Sequence, residues 1–295
     1  MSLEDQLVGW TGPSSATEQD KQDRTERMIR EAVASHRAFE ECSLRVFAKG
    51  SYANNTNVRT DSDVDVAVEC TDVIYWQEEA PGSHPGGDPY EGVWTPEKLR
   101  SELEAALRSK FPGQIDTSGS TAIQVNSNTA RVDADVVPCF TYRYYFKSGE
   151  YAQGTRIFKR SGTFLDNYPA QQLENGRSKN RRTGTRFKKA VRVLKRVENA
   201  MVLSGEHREV PSYFIECLTY NCADQLFGAS TWIDTIRNLL VSMWEQLEGE
   251  EPEDPNQRWV EVNERFFLFH GGQAWNRADG RDFVLASWNY LGFNS

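Results

Sequence analysis

The stretch Lys49–Val68 reads KGSYANNTNVRTDSDVDVAV, and its two halves carry different signals. Gly50-Ser51 marks a turn, and Asp63 stands eleven positions after Tyr52. From Asp63 onward aspartate alternates with valine, which is the period-two pattern of a β-strand. Asp63 and Asp65 therefore share one face of the predicted strand, while the valines face the opposite side and can anchor the strand in a core.

Two carboxylates on one face repel each other and resist burial unless a positive charge lies between them. A divalent metal ion supplies that charge, and magnesium (or manganese in its place) prefers such hard oxygen ligands together with substrate phosphates. A third carboxylate is available from the predicted strand Ala130–Val137, on which Asp133 and Asp135 share a face. We expect Asp135 to join Asp63 and Asp65 in a two-metal centre, in which one ion activates a hydroxyl and the other holds a triphosphate.

These acidic pairs also have a simpler interpretation. A pair of aspartates separated by one residue is common in exposed turns and edge strands, where it binds nothing. Asp61 precedes the predicted strand and is interpreted as a turn residue, and Asp133 as an outer or solvated neighbour of Asp135. The upstream Gly-Ser turn and the second acidic strand ending in Val-Val-Pro favour the metal centre.

The composition limits the class of protein. The chain has 295 residues and a mass of 33.6 kDa, enough for two modest domains. No apolar run approaches the roughly 18 residues of a membrane span, and the N-terminus MSLEDQLVGW does not resemble a signal peptide, so we expect a cytoplasmic protein with no membrane partner. The net charge of −9 argues against a stable nucleic-acid complex. The five cysteines include no CxxC pair, which favours buried reduced thiols over a structural zinc site or disulfide framework.

Periodicity and turn residues divide the chain into a mixed part, residues 1–160, and a mostly helical part, residues 161–295, which predicts an α+β fold. The first part combines several predicted elements: a loose arm over 1–15, a helix capped by Thr17 and running to about Glu40, strands Leu44–Ala48 and Ile123–Val125, a Pro/Gly loop over 77–92, and a helix opened by Thr95-Pro96. The second part contains predicted helices: Arg186–Met201, one that begins at Pro211, Trp232–Leu247, and a closing segment that includes Phe283–Leu291.

These features resemble the nucleotidyltransferase superfamily of DNA polymerase β, whose signature is a Gly-Ser turn, a hydrophobic-Asp-hydrophobic-Asp strand and a later acidic strand. The similarity is closer to the bacterial cyclic-oligonucleotide synthases of antiphage signalling, relatives of cyclic GMP–AMP synthase. Four stretches carry it: KGSYANNTNVRTDSDVDV, VDADVVP, DNYPAQQLENGRSKNRRTGTRFKKAVRVLK and PSYFIECL. The resemblance implies a mixed-sheet palm lobe packed on a helical lobe, with nucleotides in the cleft between them.

The run Asn175–Val197 holds ten Lys or Arg residues and no Asp or Glu in an otherwise acidic chain. Lys188, Arg192 and Lys195 share a stripe of the predicted helix, and this stripe either meets triphosphates or is a solvated face. The resemblance makes Lys195 the first candidate for a triphosphate contact and Lys188 the second. Residues 179–182 are assigned to a Gly-rich loop beside the cleft.

Two further positions suit phosphates and a base. Gly50 permits close approach of the backbone, and the Ser51 hydroxyl and amide can donate to phosphate oxygens. Ser212 and Tyr213 follow Pro211 at a predicted helix start, where free amides and the helix dipole favour an anion. By the resemblance Ser212 contacts phosphate and Tyr213 stacks on a base, and the alternative for Tyr213 is an ordinary core residue.

We therefore expect a magnesium-dependent nucleotidyltransferase that joins nucleoside triphosphates into a cyclic di- or trinucleotide second messenger, with release of pyrophosphate. The resemblance implies a role in antiphage defence, and a regulatory partner protein is left open. The alternative is nucleotide transfer to a nucleic-acid end or a small acceptor, and a nucleic-acid acceptor would require a longer basic track. A non-catalytic scaffold on the same fold is disfavoured because all three aspartates are present.

Overall fold

The computed structural model describes residues 1–58, 63–87 and 90–294. The helices are α1 Leu3–Trp10, α2 Ala16–Ala34, α3 Gly50–Asn54, α4 Pro96–Lys110, α5 Pro169–Arg182, α6 Arg186–Ser204, α7 Ser212–Asn221, α8 Trp232–Leu247 and α9 Arg277–Tyr290. The strands are β1 Leu44–Lys49, β2 Val64–Glu78, β3 Ile115–Asp116, β4 Ile123–Val125, β5 Ala134–Tyr145, β6 Tyr151–Phe158 and β7 Phe164–Asn167. The predicted α+β fold is confirmed.

The chain folds into two compact units. The sheet unit comprises Ser15–Ala53 and Arg59–Pro169, and the helical unit comprises Met1–Ser14, Asn54–Val58 and Ala170–Ser295. This division differs from a single boundary after residue 160, because an N-terminal segment and the short piece that begins with the last residue of α3 both belong to the helical unit. No helix among the described residues has the length and apolar composition needed to cross a membrane.

The sheet unit is organised around β2 and β5, which run parallel in the strand order β1-β2-β5-β4-β3. One face carries Val64, Val66 and Val68, which are fully buried in a core with Leu99 and Leu103 of α4. The N-cap of α4 is Thr95, as predicted, with its side chain accepting the Lys98 amide hydrogen. The valine repeat therefore fixes which face of β2 is covered by helices.

Two strand boundaries differ from the prediction. β2 continues to Glu78, into the segment expected to be a Pro/Gly loop. β5 begins at Ala134 rather than Ala130, because the Asn128 side chain accepts hydrogen bonds from the Ala130 and Arg131 amides and forms a turn there. Leu44–Ala48 and Ile123–Val125 are confirmed as strands.

The prediction of a loose N-terminal arm is wrong. Ser2 and Asp5 form a capping box that starts α1, and the next helix is capped by Ser15 rather than Thr17. The carboxylate of Glu4 accepts the amide hydrogens of Trp232 and Ile233 (2.8 and 2.9 Å), so it caps the N-terminus of α8 within the same unit. The Glu4 carboxylate therefore helps to hold as a helix a segment whose composition suggested a coil.

The core of the helical unit surrounds α6, whose predicted apolar stripe is confirmed by the complete burial of Phe187, Val191 and Leu194. The predicted bounds of α8 are confirmed as well. Residues 179–182 lie in helix α5, so the prediction of a loop there is wrong. Lys179 is buried and donates to the Asp224 carboxylate and the Cys222 carbonyl.

Candidate active site

The pairing of β2 with β5 brings two of the three predicted aspartates together. Asp65 and Asp135 are register partners in this parallel pair, so their side chains leave the sheet on the same face, with backbones about 4.8 Å apart. Lys49 is the partner of Asp65 on the outer side, and Gln124 is the partner of Asp135 on the other. Four polar side chains therefore form one row across the sheet, opposite the valine face.

The electrostatics of this row favour a bound cation. Burial raises the pKa of Asp135, the charge of Asp65 adds to that shift, and Lys49 opposes it. The Lys49 ammonium lies 3.7 Å from Asp65 Oδ1, too distant for a strong hydrogen bond. Because carboxylate oxygens are the donors that magnesium prefers, the residues fit this ion.

Asp63 lies directly before β2 and is exposed. The carboxylates of Asp63, Asp65 and Asp135 do not all lie within 4.8 Å of one another, so the row itself contains two of the three. Asp133 precedes β5, and its carboxylate accepts the amide hydrogen of Ser127 in the adjacent loop. Asp61, interpreted above as a turn residue, lies outside the described residues.

Gly50 and Ser51 form the first turn of the short helix α3, immediately after β1. Gly50 has a φ of +67°, a backbone conformation that residues with a Cβ rarely adopt. A Cβ at this position would collide with the carboxylate of Asp65. The glycine therefore leaves space for the aspartate in addition to forming the turn, and Ser51 comes next to it, half-buried.

Lys195 is at the centre of a buried ion pair in the helical unit. Its ammonium lies 3.4 Å from Glu216 Oε2, and the two side chains are 3% and 2% exposed. Thr56 donates to the same carboxylate at 2.8 Å, and Asn54 approaches its other oxygen. Burial lowers the pKa of Lys195, whereas Glu216 opposes that shift. These contacts give Lys195 a protein partner where the sequence suggested a phosphate.

Two arginines of the basic run, one of them in the predicted stripe, bind the protein's own backbone. Arg192 is buried and donates to the carbonyls of Thr11 and Asn55 (2.8 and 2.6 Å), and Arg196 donates to the carbonyls of Trp10 and Gly12. Lys188 is only half-buried, and burial lowers its pKa. An amine that is partly desolvated in this way is the better of the two predicted lysines for an incoming anion.

Ser212 and Tyr213 begin α7 with Pro211 as the N-cap, as predicted. Ser212 is exposed, and Tyr213 is half-buried. The Tyr213 hydroxyl donates to Glu261 Oε2 at 3.2 Å, and its ring meets Trp275 edge-on. Burial raises the pKa of the Tyr213 hydroxyl. The ring therefore has the contacts of a core residue on one side, and the stacking role remains a prediction.

Comparison with known proteins identifies the family to which the chain belongs. Residues 174–292 match the family described as "cGAS/DncV-like nucleotidyltransferase C-terminal helical domain". The chain is 34% identical to the cyclic dipyrimidine nucleotide synthase CdnE of Cecembia lonarensis over 98% of both proteins. It is 36% identical to the CdnE of the same description from Legionella pneumophila, over 96% of this chain and 95% of the relative. The chain belongs to the cGAS/DncV-like nucleotidyltransferases.

A solved structure extends the family relationship to the whole fold. The CdnE cyclic dinucleotide synthase of Elizabethkingia meningoseptica, determined with GTP and Apcpp, is 32% identical and superposes with a TM-score of 0.81 over 99% of both chains. Like its relatives, this chain is a nucleotidyltransferase. Both units are therefore parts of one enzyme fold.

Two polar residues of these sites were not predicted from the sequence. Lys49 was assigned no role, although its position next to Gly50 at the end of an alternating strand placed it on the aspartate face. Glu216 gave no signal, because a single glutamate within the apolar helix α7 is identified as a buried partner only when Lys195 is seen against it.

Proposed function

We propose that this enzyme makes a cyclic dinucleotide from two nucleoside triphosphates, with Mg²⁺ as cofactor, and releases two pyrophosphates. The position of Asp135 directly opposite Asp65 carries the proposal, because it creates the paired carboxylates that nucleotidyl transfer requires on this fold. The names of the three CdnE relatives described above, each about one third identical to this chain, support the class of product.

In the proposed reaction Asp63, Asp65 and Asp135 hold the metal, and Asp135 accepts the proton of the attacking ribose hydroxyl. The bound metal supplies charge neutralisation of the triphosphate and lowers the pKa of that hydroxyl. The hydroxyl oxygen forms a bond to the α-phosphorus of the second nucleotide, and the bond from that phosphorus to pyrophosphate breaks. A second transfer of the same kind closes the ring.

Phosphate and base contacts complete the proposal. Gly50 and Ser51 offer an amide and a hydroxyl to the triphosphate of a nucleotide. On the helical unit Lys188 and Ser212 contact phosphates, and Tyr213 presents a ring face to a base. Lys195 acts as a positioning residue, because its buried ammonium holds Glu216 and the segment that follows α3.

We place this activity in the cytoplasm, where nucleoside triphosphates and magnesium are abundant, and in antiphage defence. Neither a nucleic-acid acceptor nor a membrane is required by the proposed reaction. The basic run supports a reaction without a nucleic-acid acceptor, because three of its cations already bind carbonyl and carboxylate groups of the protein: Lys179, Arg192 and Arg196.

The test is to incubate the pure protein with pairs of nucleoside triphosphates and MgCl₂, and to identify products by mass spectrometry. Asp135→Asn should reduce product formation by more than about 100-fold, since losing a direct metal ligand exceeds the cost of losing an outer partner. Asp133→Asn is the matched control and should remain active. The double variant Asp63→Asn/Asp65→Asn should be folded and inactive.

Three results would contradict the proposal. Linear products attached to an added acceptor would support terminal transfer instead. Undiminished pyrophosphate release by the Asp63→Asn/Asp65→Asn variant would remove the metal assignment. A larger loss in Asp133→Asn than in Asp135→Asn would show that the second acidic strand contributes a different residue.

A further inference from the structure

Two cysteines and an aspartate meet at the edge of the sheet unit, away from the carboxylate row. Cys42 precedes β1, and Cys70 lies in β2 opposite Leu44, so strand pairing brings the two thiols together. Their sulfur atoms are 3.7 Å apart. The carboxylate of Asp72 joins them, and one ligand atom from each of the three residues lies within 4.8 Å of the others.

An irregularity in β2 prepares this site. The register between β2 and β5 shifts between Cys70 and Ile74, so the intervening residues form a bulge. The backbone amides of Asp72 and Val73 are then directed to the Cys70 sulfur and donate hydrogen bonds to it. Such bonds stabilise negative charge on a sulfur, as is usual around metal-bound thiolates.

The aspartate is positioned from the other strand. The amide of Ser43, which lies between Cys42 and β1, donates to Asp72 Oδ2 at 2.9 Å. One oxygen of the same carboxylate lies within 4.8 Å of both sulfurs. Cys70 is fully buried, whereas Cys42 is partly exposed and Asp72 is exposed, so an ion from solvent can reach the group.

The spacing of the sulfurs matches one kind of ligand. In a tetrahedral zinc site with Zn–S bonds of about 2.3 Å, two thiolates are separated by about 3.8 Å. We propose that Cys42, Cys70 and Asp72 form a binding site for a thiophilic divalent cation, zinc, with its fourth position open to solvent. Binding displaces the two thiol protons, which pass to solvent as two zinc–sulfur bonds form.

This site is independent of the magnesium site. Cys70 is five residues along β2 from Asp65, about 17 Å at strand spacing. It also faces the valine side of the sheet, since it belongs to the core of Val64 and Val68. Soft sulfur ligands select zinc, whereas the oxygen ligands of Asp65 and Asp135 suit magnesium. Zinc here would clamp the start of β1 to the bulge in β2.

Cobalt(II) is a suitable probe because it gives a near-ultraviolet charge-transfer band only when thiolates bind it. The full-length protein, stripped with chelator and kept reduced, should show this band on titration with CoCl₂, saturating at one equivalent, and ZnCl₂ should abolish it. Two protons should be released per zinc, and the melting temperature should rise. Carboxylate-bound cobalt at the magnesium site gives no such band.

Variants locate the ligands. Cys42→Ser and Cys70→Ala should lose the band, and Asp72→Asn, a change at an exposed position, should weaken zinc binding by about tenfold or more. Cys222→Ala, a buried thiol of the other unit, is the control and should keep the band. Absence of the band in the wild-type protein, its persistence in Cys42→Ser, or a Cys42–Cys70 disulfide in protein purified with zinc and reductant would overturn the proposal.

Discussion

Replacing Gly50 with alanine tests whether the turn that begins α3 positions the proposed catalytic carboxylate of Asp65. Gly50 has a φ of +67°, and alanine costs roughly 1–2 kcal/mol in this left-handed region. A Cβ on Gly50 would also lie 2.3 Å from Asp65 Oδ2, whereas ordinary contact begins at 3.4 Å. The carboxylate must therefore move by about 1 Å, and a displacement of that size reduces a rate by about 100-fold.

Gly113 provides a matched control for this change. Its φ is +71°, and a Cβ there would meet nothing within 4 Å. Gly50→Ala and Gly113→Ala should each lose a few degrees of melting temperature, because the backbone strain is alike. Only Gly50→Ala should lose pyrophosphate release, measured at saturating nucleoside triphosphates and magnesium. Equal rates in the two folded variants would refute the argument that Gly50 leaves space for Asp65.

Three further outcomes are expected. In chelator at neutral pH, Asp135→Asn should melt at a higher temperature than the wild type. Folding raises the pKa of the Asp135 carboxyl, so the wild-type protein loses stability as the pH rises above the unfolded pKa near 4. Thermal scans should show the difference in melting temperature shrinking as pH is lowered, and a constant difference would contradict this origin. Lys195→Met should lower the free energy of unfolding in urea by about 3–5 kcal/mol, because it leaves the buried Glu216 unpaired. Lys188→Ala should be as stable as the wild type and should raise KM for nucleotide. The reverse pattern would restore Lys195 as the phosphate contact. Tyr213→Phe removes the hydrogen bond to Glu261 and should lower stability by about 1.5–3 kcal/mol without changing nucleotide affinity. Tyr213→Ala should lower nucleotide affinity by roughly one to two orders of magnitude. Equal affinities in calorimetric titrations of the two variants would show that the ring has a core role alone.

Local patterns were sufficient for much of the fold. The alternation in β2, the Thr95 cap of α4 and the amphipathic run of α8 each lie within about fifteen residues, so periodicity and capping chemistry identify them directly. The N-terminal segment was different, because α1 is held by hydrogen bonds to α6 and α8, which lie far along the chain.

The basic run shows why charge alone misled the site assignment. Ten cations between Asn175 and Val197 suggested either a phosphate-binding face or a solvated one, but composition does not say whether a cation meets solvent, ligand or protein. Lys195 is directed to Glu216, and Arg192 to two backbone carbonyls, because α6 is the central helix of its unit and most of its circumference is covered. Burial on all sides is a property of packing and leaves no trace in the local sequence.

The sequence by itself determined the local features of the proposed site: the Gly-Ser turn, the aspartate strands and the face that the valines bury. Only the tertiary structure decided which of them meet. Asp65 is paired with Asp135 by the register of two parallel strands. Cys42 is brought to Cys70 by an antiparallel strand pair, and because the sequence has no CxxC spacing, it did not predict the proposed zinc site. The physical reason is that side-chain direction follows from local backbone period, whereas the partner across a sheet depends on a register fixed by the packing of the whole core.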